Sequence, residues 1–244
     1  MDPLYQTNMQ CICCESSYMT SRVRPSFKKA TTTDSDFCGY YKNGINPDFY
    51  VVRVCPSCGF ASTENGLSQL SDRQKKQYYE QVGVRWSVRD FGGERDLEQA
   101  LSCYKLALLS GQSVGEKERV LAGILHHIAW LYRYQGKAQD EQRFLRFALQ
   151  SYIKVYEEEG EQLNNARLMY IIGELNKRIG DASEAVRWFS RIVNDKRIMD
   201  AAMIRASREQ WQQIREEMAA AEQGGLSAGG LADNKEHRSK SQPV

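Results

Sequence analysis

The chain has 244 residues, enough to bury a substantial core in one domain, or in one small domain beside a larger one. Its 33 Lys and Arg stand against 31 Asp and Glu, and residues 1–66 alone carry six of each sign, so the basic excess that draws a polyanionic partner is missing. The opening MDPLYQTNMQ lacks the charged start and apolar run of a secretion signal, and no stretch is long and apolar enough to span a bilayer, so a cytoplasmic protein without membrane contact is expected.

The first element in chain order is a cysteine pair, Cys11 and Cys14 in QCICCES; a second, Cys55 and Cys58 in VCPSCGF, follows after an insertion of 40 residues. Two C-x-x-C turns can aim four thiolates at one ion, the donor set of a tetrahedral Zn²⁺, and the glycine after Cys58 suits the left-handed turn of such a knuckle. Four scattered thiols is the competing reading, and the paired spacing speaks against it. A closed four-thiolate site leaves no open coordination position, so it holds a fold together without doing chemistry. The seven cysteines, odd in number and without a secretion signal, read as metal ligands plus spare thiols rather than a disulfide framework.

Between the knuckles, β-branched and aromatic residues alternate with turn formers in SYMTSRVR, TTTDSDFCGYYKNGINPD and FYVVRV, so short strands are expected, with FYVVRV leading into the second knuckle. Such a small module builds little core, and the metal is expected to supply most of its folding energy. Cys13, inside the first knuckle, must point away from the metal if Cys11 and Cys14 bind it. Cys38 reads as a small buried side chain, with a spare thiol beside the metal as the alternative. Asp34 and Asp36 could hold a cation, but D-S-D before an aromatic more commonly bonds nearby backbone amides in a turn.

After Gly66 the composition shifts to Gln, Glu, Arg, Ala and Leu at helical spacing. Helices are expected at 68–90, 95–110, 116–135, 137–158, 161–179, 181–194 and 198–222. Ala100, Cys103, Tyr104, Ala107 and Leu108 share one helix face, which places Cys103 in the core. Gly180 reads as a helix stop, and Asp181 with Glu184 as the next start. The turns at Gly136 and Gly180 stand 44 residues apart, and each precedes a helix with matching small and aromatic residues: Phe144, Phe147 and Ala148, then Ala185, Trp188 and Phe189. LEQALSCYKLALL looks like the second helix of an earlier unit. With Gly173 facing Ala185 and Phe189, the pattern resembles a tetratricopeptide repeat of wider spacing; Glu141 breaks it in the middle unit. Residues 224–244, rich in glycine and free of aromatics, are expected to be disordered.

These readings give an α+β chain, mostly α: a zinc-ribbon-like β module over 1–66, an α-solenoid of tetratricopeptide-like helix pairs over 67–223, and the tail. The knuckle Cys11 to Cys14, the run Asp34 to Cys38, the pair Tyr40 and Tyr41, the stretch Asn46 to Tyr50 and the knuckle Cys55 to Gly59 together resemble a bacterial family known only as domain-of-unknown-function family 2225. The resemblance covers most of the chain. It implies a zinc-ribbon-like module joined to tetratricopeptide-like helices in a cytoplasmic protein, and it carries no activity. One departure is that Cys11-Ile12-Cys13-Cys14-Glu15 stands where a C-P-x-C-G knuckle is expected.

The sequence holds no phosphate loop, dinucleotide fingerprint, nucleophile elbow or H-E-x-x-H, and the adjacent His126 and His127 diverge by about 100° on a helix, too far to share a metal. The expected protein is therefore no enzyme. It is read as a Zn²⁺-binding scaffold or adaptor, with Cys11, Cys14, Cys55 and Cys58 as ligands and helical repeats that engage protein partners. One alternative is a nucleic-acid-binding regulator, with Phe27, Phe37, Tyr40, Tyr41, Phe49 and Tyr50 as a stacking platform among Arg22, Arg24, Lys28, Lys29 and Arg53; the local charge balance disfavours it. Another is a thiol redox sensor using Cys13 or Cys38 against the metal thiolates.

Overall fold

The computed structural model describes residues 1–42, 44–159 and 165–229. Six short strands come first and seven helices follow: β1 Leu4–Gln10, β2 Ser17–Val23, β3 Thr32–Thr33, β4 Gly39–Tyr40, β5 Arg53–Val54, β6 Ala61–Ser62, then α1 Asp72–Gln81, α2 Leu97–Val114, α3 Glu118–Tyr134, α4 Ala138–Glu159, α5 Ala166–Ile179, α6 Ala182–Asn194 and α7 Ala201–Gly229. The fold is α+β and mostly helical. The strands form three antiparallel two-stranded ribbons, β1 with β2, β3 with β4 and β5 with β6. In the longest, Leu4 faces Val23 and Gln10 faces Ser17, so the first knuckle is the loop that closes this hairpin. No helix among the described residues is long and apolar enough to cross a membrane.

The helices begin where side chains can satisfy their first amides. Ser71 and Gln74 form a reciprocal capping box at α1, Asp96 and Gln99 form another at α2, and the Asp181 carboxylate accepts from the Glu184 amide at α6. Successive helices from α2 to α7 pack against one another. Gly173 allows a close approach of α5 and α6, since a Cβ there would lie 2.8 Å from the ring of the fully buried Phe189. In the middle unit Glu141 occupies the place of a small residue because its carboxylate pairs with Arg133 at 2.7 Å. Phe147 packs edge-on against Phe144, ring centres 5.8 Å apart, and is about half exposed.

Several boundaries differ from expectation, each for a local reason. The helix expected at 68–90 ends at Gln81; the chain turns at Gly83–Arg85, and Trp86 leaves the helical direction to donate its indole N–H to the Pro56 carbonyl at 2.9 Å. FYVVRV is not one strand: Asn46 and Pro47 start a 3₁₀ turn through Tyr50, and only Arg53–Val54 pair in a ribbon. Buried Arg95 holds this segment by donating to the Phe49 and Val52 carbonyls at 2.9 and 2.7 Å. β1, not foreseen, has its apolar residues spread over both faces. Helix α7 runs to Gly229, six residues into the expected disordered tail, while 230–244 and the start of the helix expected at 161 lie outside the described residues.

Val52, Val54 and Ala61 pack in the same core as Ala100, Tyr104 and Ala107 of α2 and Ile128 of α3, so the ribbons and the helices share one continuous interior. A second cluster surrounds the cysteines with Phe60, Leu70, Tyr78 and Val114.

Candidate metal centre

The two knuckles are the same backbone turn built twice. In the first, the Glu15 amide donates to the Cys11 carbonyl at 2.9 Å and the Cys11 amide to the Ser16 carbonyl at 3.0 Å; in the second, Gly59 donates to Cys55 at 2.8 Å and Cys55 to Phe60 at 2.9 Å. Both turns close through a left-handed residue, Glu15 with φ 64° and Gly59 with φ 77°. Most side chains avoid that region, and the two positions differ in what surrounds them. A Cβ on Gly59 would sit 2.3 Å from the Trp86 indole, so glycine is required there twice over. Glu15 is exposed, and its carboxylate meets Lys75 of α1 at 2.8 Å.

The turns bring four sulfurs together. The ligand atoms of Cys11, Cys14, Cys55 and Cys58 all lie within 4.8 Å of one another, with Cys11 3.6 Å from Cys58 and Cys14 3.6 Å from Cys55. Four thiolates at this spacing fit a tetrahedral ion with metal–sulfur bonds of about 2.3 Å. The Cys13 amide donates to the Cys11 sulfur at 3.4 Å, and the fully buried Tyr78 of α1 donates its hydroxyl to the Cys58 carbonyl at 2.8 Å. Hydrogen bonding to the Cys58 sulfur, and then burial, push the Cys11 thiol well above its usual range. A divalent cation binding there must displace those protons, so its affinity rises with pH.

Cys13 is buried in the same apolar cluster as Cys11, Cys55 and Cys58 but is not among the four residues whose ligand atoms converge. Cys38 is buried elsewhere, donating its thiol to the Tyr134 hydroxyl at 3.3 Å, and its surroundings push it up to about 12, chiefly by burial. Cys103 lies in the helical core.

Asp34 and Asp36 belong to a separate ionic cluster that locks the insertion onto the helices. Asp36 has no exposed surface; Arg133 of α3 donates to both of its carboxylate oxygens, at 3.0 and 2.7 Å, and also to Asp34 at 2.7 Å. Trp130 donates its indole N–H to Asp36 at 3.1 Å, and the buried His126 ring nitrogen lies 3.4 Å away. Burial pushes the Asp36 carboxyl up, but the hydrogen bonds from His126 and Arg133 outweigh it and hold the group far below the usual carboxylate range. Arg178 of α5 reaches Asp36 at 3.3 Å, and Ser35 donates to Glu174 of the same helix. The segment is also the turn expected of D-S-D: the Phe37 amide donates to the Asp34 carbonyl at 2.9 Å, and the Cys38 amide donates to the Asp36 carboxylate at 3.4 Å. Sequence spacing could not reveal Arg133, which lies 97 residues from Asp36.

His126 and His127 go to different places. His126 faces Asp36, whereas His127 stacks on Tyr104 with ring centres 5.4 Å apart. Of the insertion's aromatics, Phe37 lies 5.6 Å from Tyr170 and Tyr50 is buried, whereas Tyr40, 5.8 Å from Tyr134, stays exposed. Two of the basic residues read as their companions, Arg22 and Arg53, both pair with Glu64.

The family model described as "Uncharacterized protein conserved in bacteria (DUF2225)" matches residues 4–214, a span that includes both knuckles, the Asp34–Cys38 turn and helices α1 to α6. The chain belongs to that family. No curated protein and no solved structure matches it.

Proposed function

We propose that this chain is a non-catalytic zinc-binding scaffold or adaptor whose helices, arranged as tetratricopeptide-like pairs, engage other proteins. The observation that carries the reading is the placement of the four sulfurs at the junction of two ribbons and α1, with Phe60 and Tyr78 packed over them. Four sulfur donors select zinc among the common divalent ions, and a closed site of this kind braces a fold.

The partner surface falls on the helices. Helices α3 with α4 and α5 with α6 follow the same turn logic, and the Gly173–Phe189 contact is the small-against-aromatic packing that closely stacked helix pairs need. Leu109 on α2 and Phe147 on α4, the second helices of successive units, are large apolar side chains left about half exposed. Apolar anchors on a rigid helical face are the usual means by which such arrays bind extended or helical segments.

Affinity capture with the full chain, with and without nuclease, tests the reading. A captured protein that survives nuclease and is lost with the Leu109→Asp, Phe147→Asp double variant supports it. Capture of nucleic acid alone, weakening steeply as salt rises from 50 to 200 mM, would replace it with the nucleic-acid reading.

A further inference from the structure

The β1–β2 hairpin is covered on one edge and bare on the other. The parity of its ladder is set at both ends: the Cys11 amide donates to the Ser16 carbonyl at 3.0 Å and the Arg24 amide to the Pro3 carbonyl at 2.9 Å, both on the register that puts Thr7 opposite Thr20. In an antiparallel pair such bonds recur at every second residue, so Tyr5, Thr7 and Met9 bond inward to β2. The amides and carbonyls of Gln6, Asn8 and Gln10 therefore point away from it. On β2 the outward edge is taken. The Ser21 amide donates to the Gly92 carbonyl at 2.8 Å, and Gly92 lies so close that a Cβ on it would sit 2.5 Å from the Met19 carbonyl oxygen. On β1 the Leu4 amide is met by the Asp2 carboxylate at 2.8 Å, but among the described residues nothing bonds to the outward backbone of Gln6, Asn8 or Gln10.

A free edge is a template for another strand, and natural sheets guard such edges with charge, proline or a bulge. β1, with the sequence LYQTNMQ, has none of these guards: no residue is charged, none is proline, and its register with β2 is unbroken. We propose that β1 is a dimerisation edge: two copies of this chain pair their β1 strands antiparallel about a twofold axis at Thr7, joining two hairpins into one sheet. The strand's own composition selects a second copy as the occupant. With Thr7 on the axis, Gln6 of each copy stands opposite the partner's Asn8, and the two exchange both backbone bonds. Gln10 donates to the partner's Leu4 carbonyl, which leaves the bond from the Leu4 amide to Asp2 in place. Tyr5 comes beside the partner's Met9 and Thr7 beside the partner's Thr7, pairs of the kind that stabilise a sheet, and no charge meets a like charge. The pairing also closes. Because the segment at Gly92 covers the β2 edge, the joined sheet offers no further edge on which a fibre could grow. Contact through one strand is small for a protein interface, so association is concentration-dependent. The inference stands apart from the metal and scaffold readings.

The test measures the mass of the full chain in solution by sedimentation or light scattering as concentration rises to about 1 mM, with amide exchange read by residue at both ends of the range. Mass should climb from one chain to two and stop there. The Gln6, Asn8 and Gln10 amides should become slow only in the concentrated sample, while those of Thr7 and Met9 are slow in both. Asn8→Pro removes an outward amide that the hairpin does not use, so it should keep the parent's metal content and remain a single chain throughout. Asn8→Lys keeps the amide but sets two lysines on diagonal positions across the axis, and it should weaken association severalfold. It decides the matter if Asn8→Pro fails to fold. A mass that stays at one chain up to about 1 mM overturns the proposal. So does a dimer that both variants form as readily as the parent, or one that protects no outward amide of β1.

Discussion

Two of the places that fix the N-terminal segment to the rest of the molecule work by opposite chemistry. At the cysteine cluster, four groups of one kind converge on a point and need an ion to make their proximity favourable. At Asp36, charges of both signs meet directly, and Arg133 does for the carboxylates what the metal does for the thiolates. The cluster gathers residues 11 to 58 and is roofed by α1; the ionic site joins residues 34 to 36 to α3 and α5. A buried group that cannot be satisfied locally imports its partner, and the partner's chemistry decides how the anchor fails.

The largest expected effect is on the metal side. A strong chelator, or Cys55→Ser combined with Cys58→Ser, should unfold the knuckles and α1 while leaving the α3–α6 helices folded, since structural zinc supplies on the order of 10 kcal/mol in small modules. Amide exchange read by residue should show the loss of protection confined to about residues 4–24 and 53–86. Uniform loss across the chain would mean that the two anchors are not separable.

The ionic anchor should fail differently. Arg133→Ala strands Asp36, which has no exposed surface, beside Asp34 and Glu141, and removing one member of a buried ionic group costs about 3–5 kcal/mol. Denaturant unfolding should show that loss with metal content unchanged. The same site predicts an acid limb. Because the folded Asp36 carboxyl is held below its unfolded value, its contribution is present above about pH 4 and is lost as pH falls below that. Asp36→Asn, though less stable at neutral pH, should flatten that limb when stability is measured between pH 5 and 2 on protein without metal; an unchanged slope would assign it to other carboxylates.

The two knuckles offer the finest contrast. Gly59→Ala must place a β-carbon in the left-handed region and displace Trp86, about 1–2 kcal/mol of backbone cost with overpacking of about 1–3 kcal/mol added. Glu15→Gly, at the matching turn, relieves the left-handed strain and gives up only an exposed ion pair with Lys75, so thermal stability should be unchanged or slightly raised. A loss at Glu15→Gly equal to that at Gly59→Ala would contradict this.

The cysteine spacing made the metal centre legible because a knuckle is local: two residues separate each pair, and the turn that aims them is encoded beside them. The helices were legible for a similar reason, through caps such as Asp181 and stripes such as Ala100 to Leu108. Tertiary choices were hidden. Trp86 reads as part of a helix until its contact with the second knuckle is known, and Phe49 and Tyr50 read as strand until Asn46, Pro47 and Arg95 bend them into a turn. Asp36 sits in the turn its sequence suggests, but the partner that balances its charge lies on α3, out of reach of any local pattern.

Metal analysis of the purified full chain tests the central claim most directly. One equivalent of zinc per chain is expected, bound by four sulfurs in X-ray absorption and lost when Cys55→Ser and Cys58→Ser are combined. A chain that purifies without metal, keeps its fold and takes up no zinc when it is supplied would contradict it.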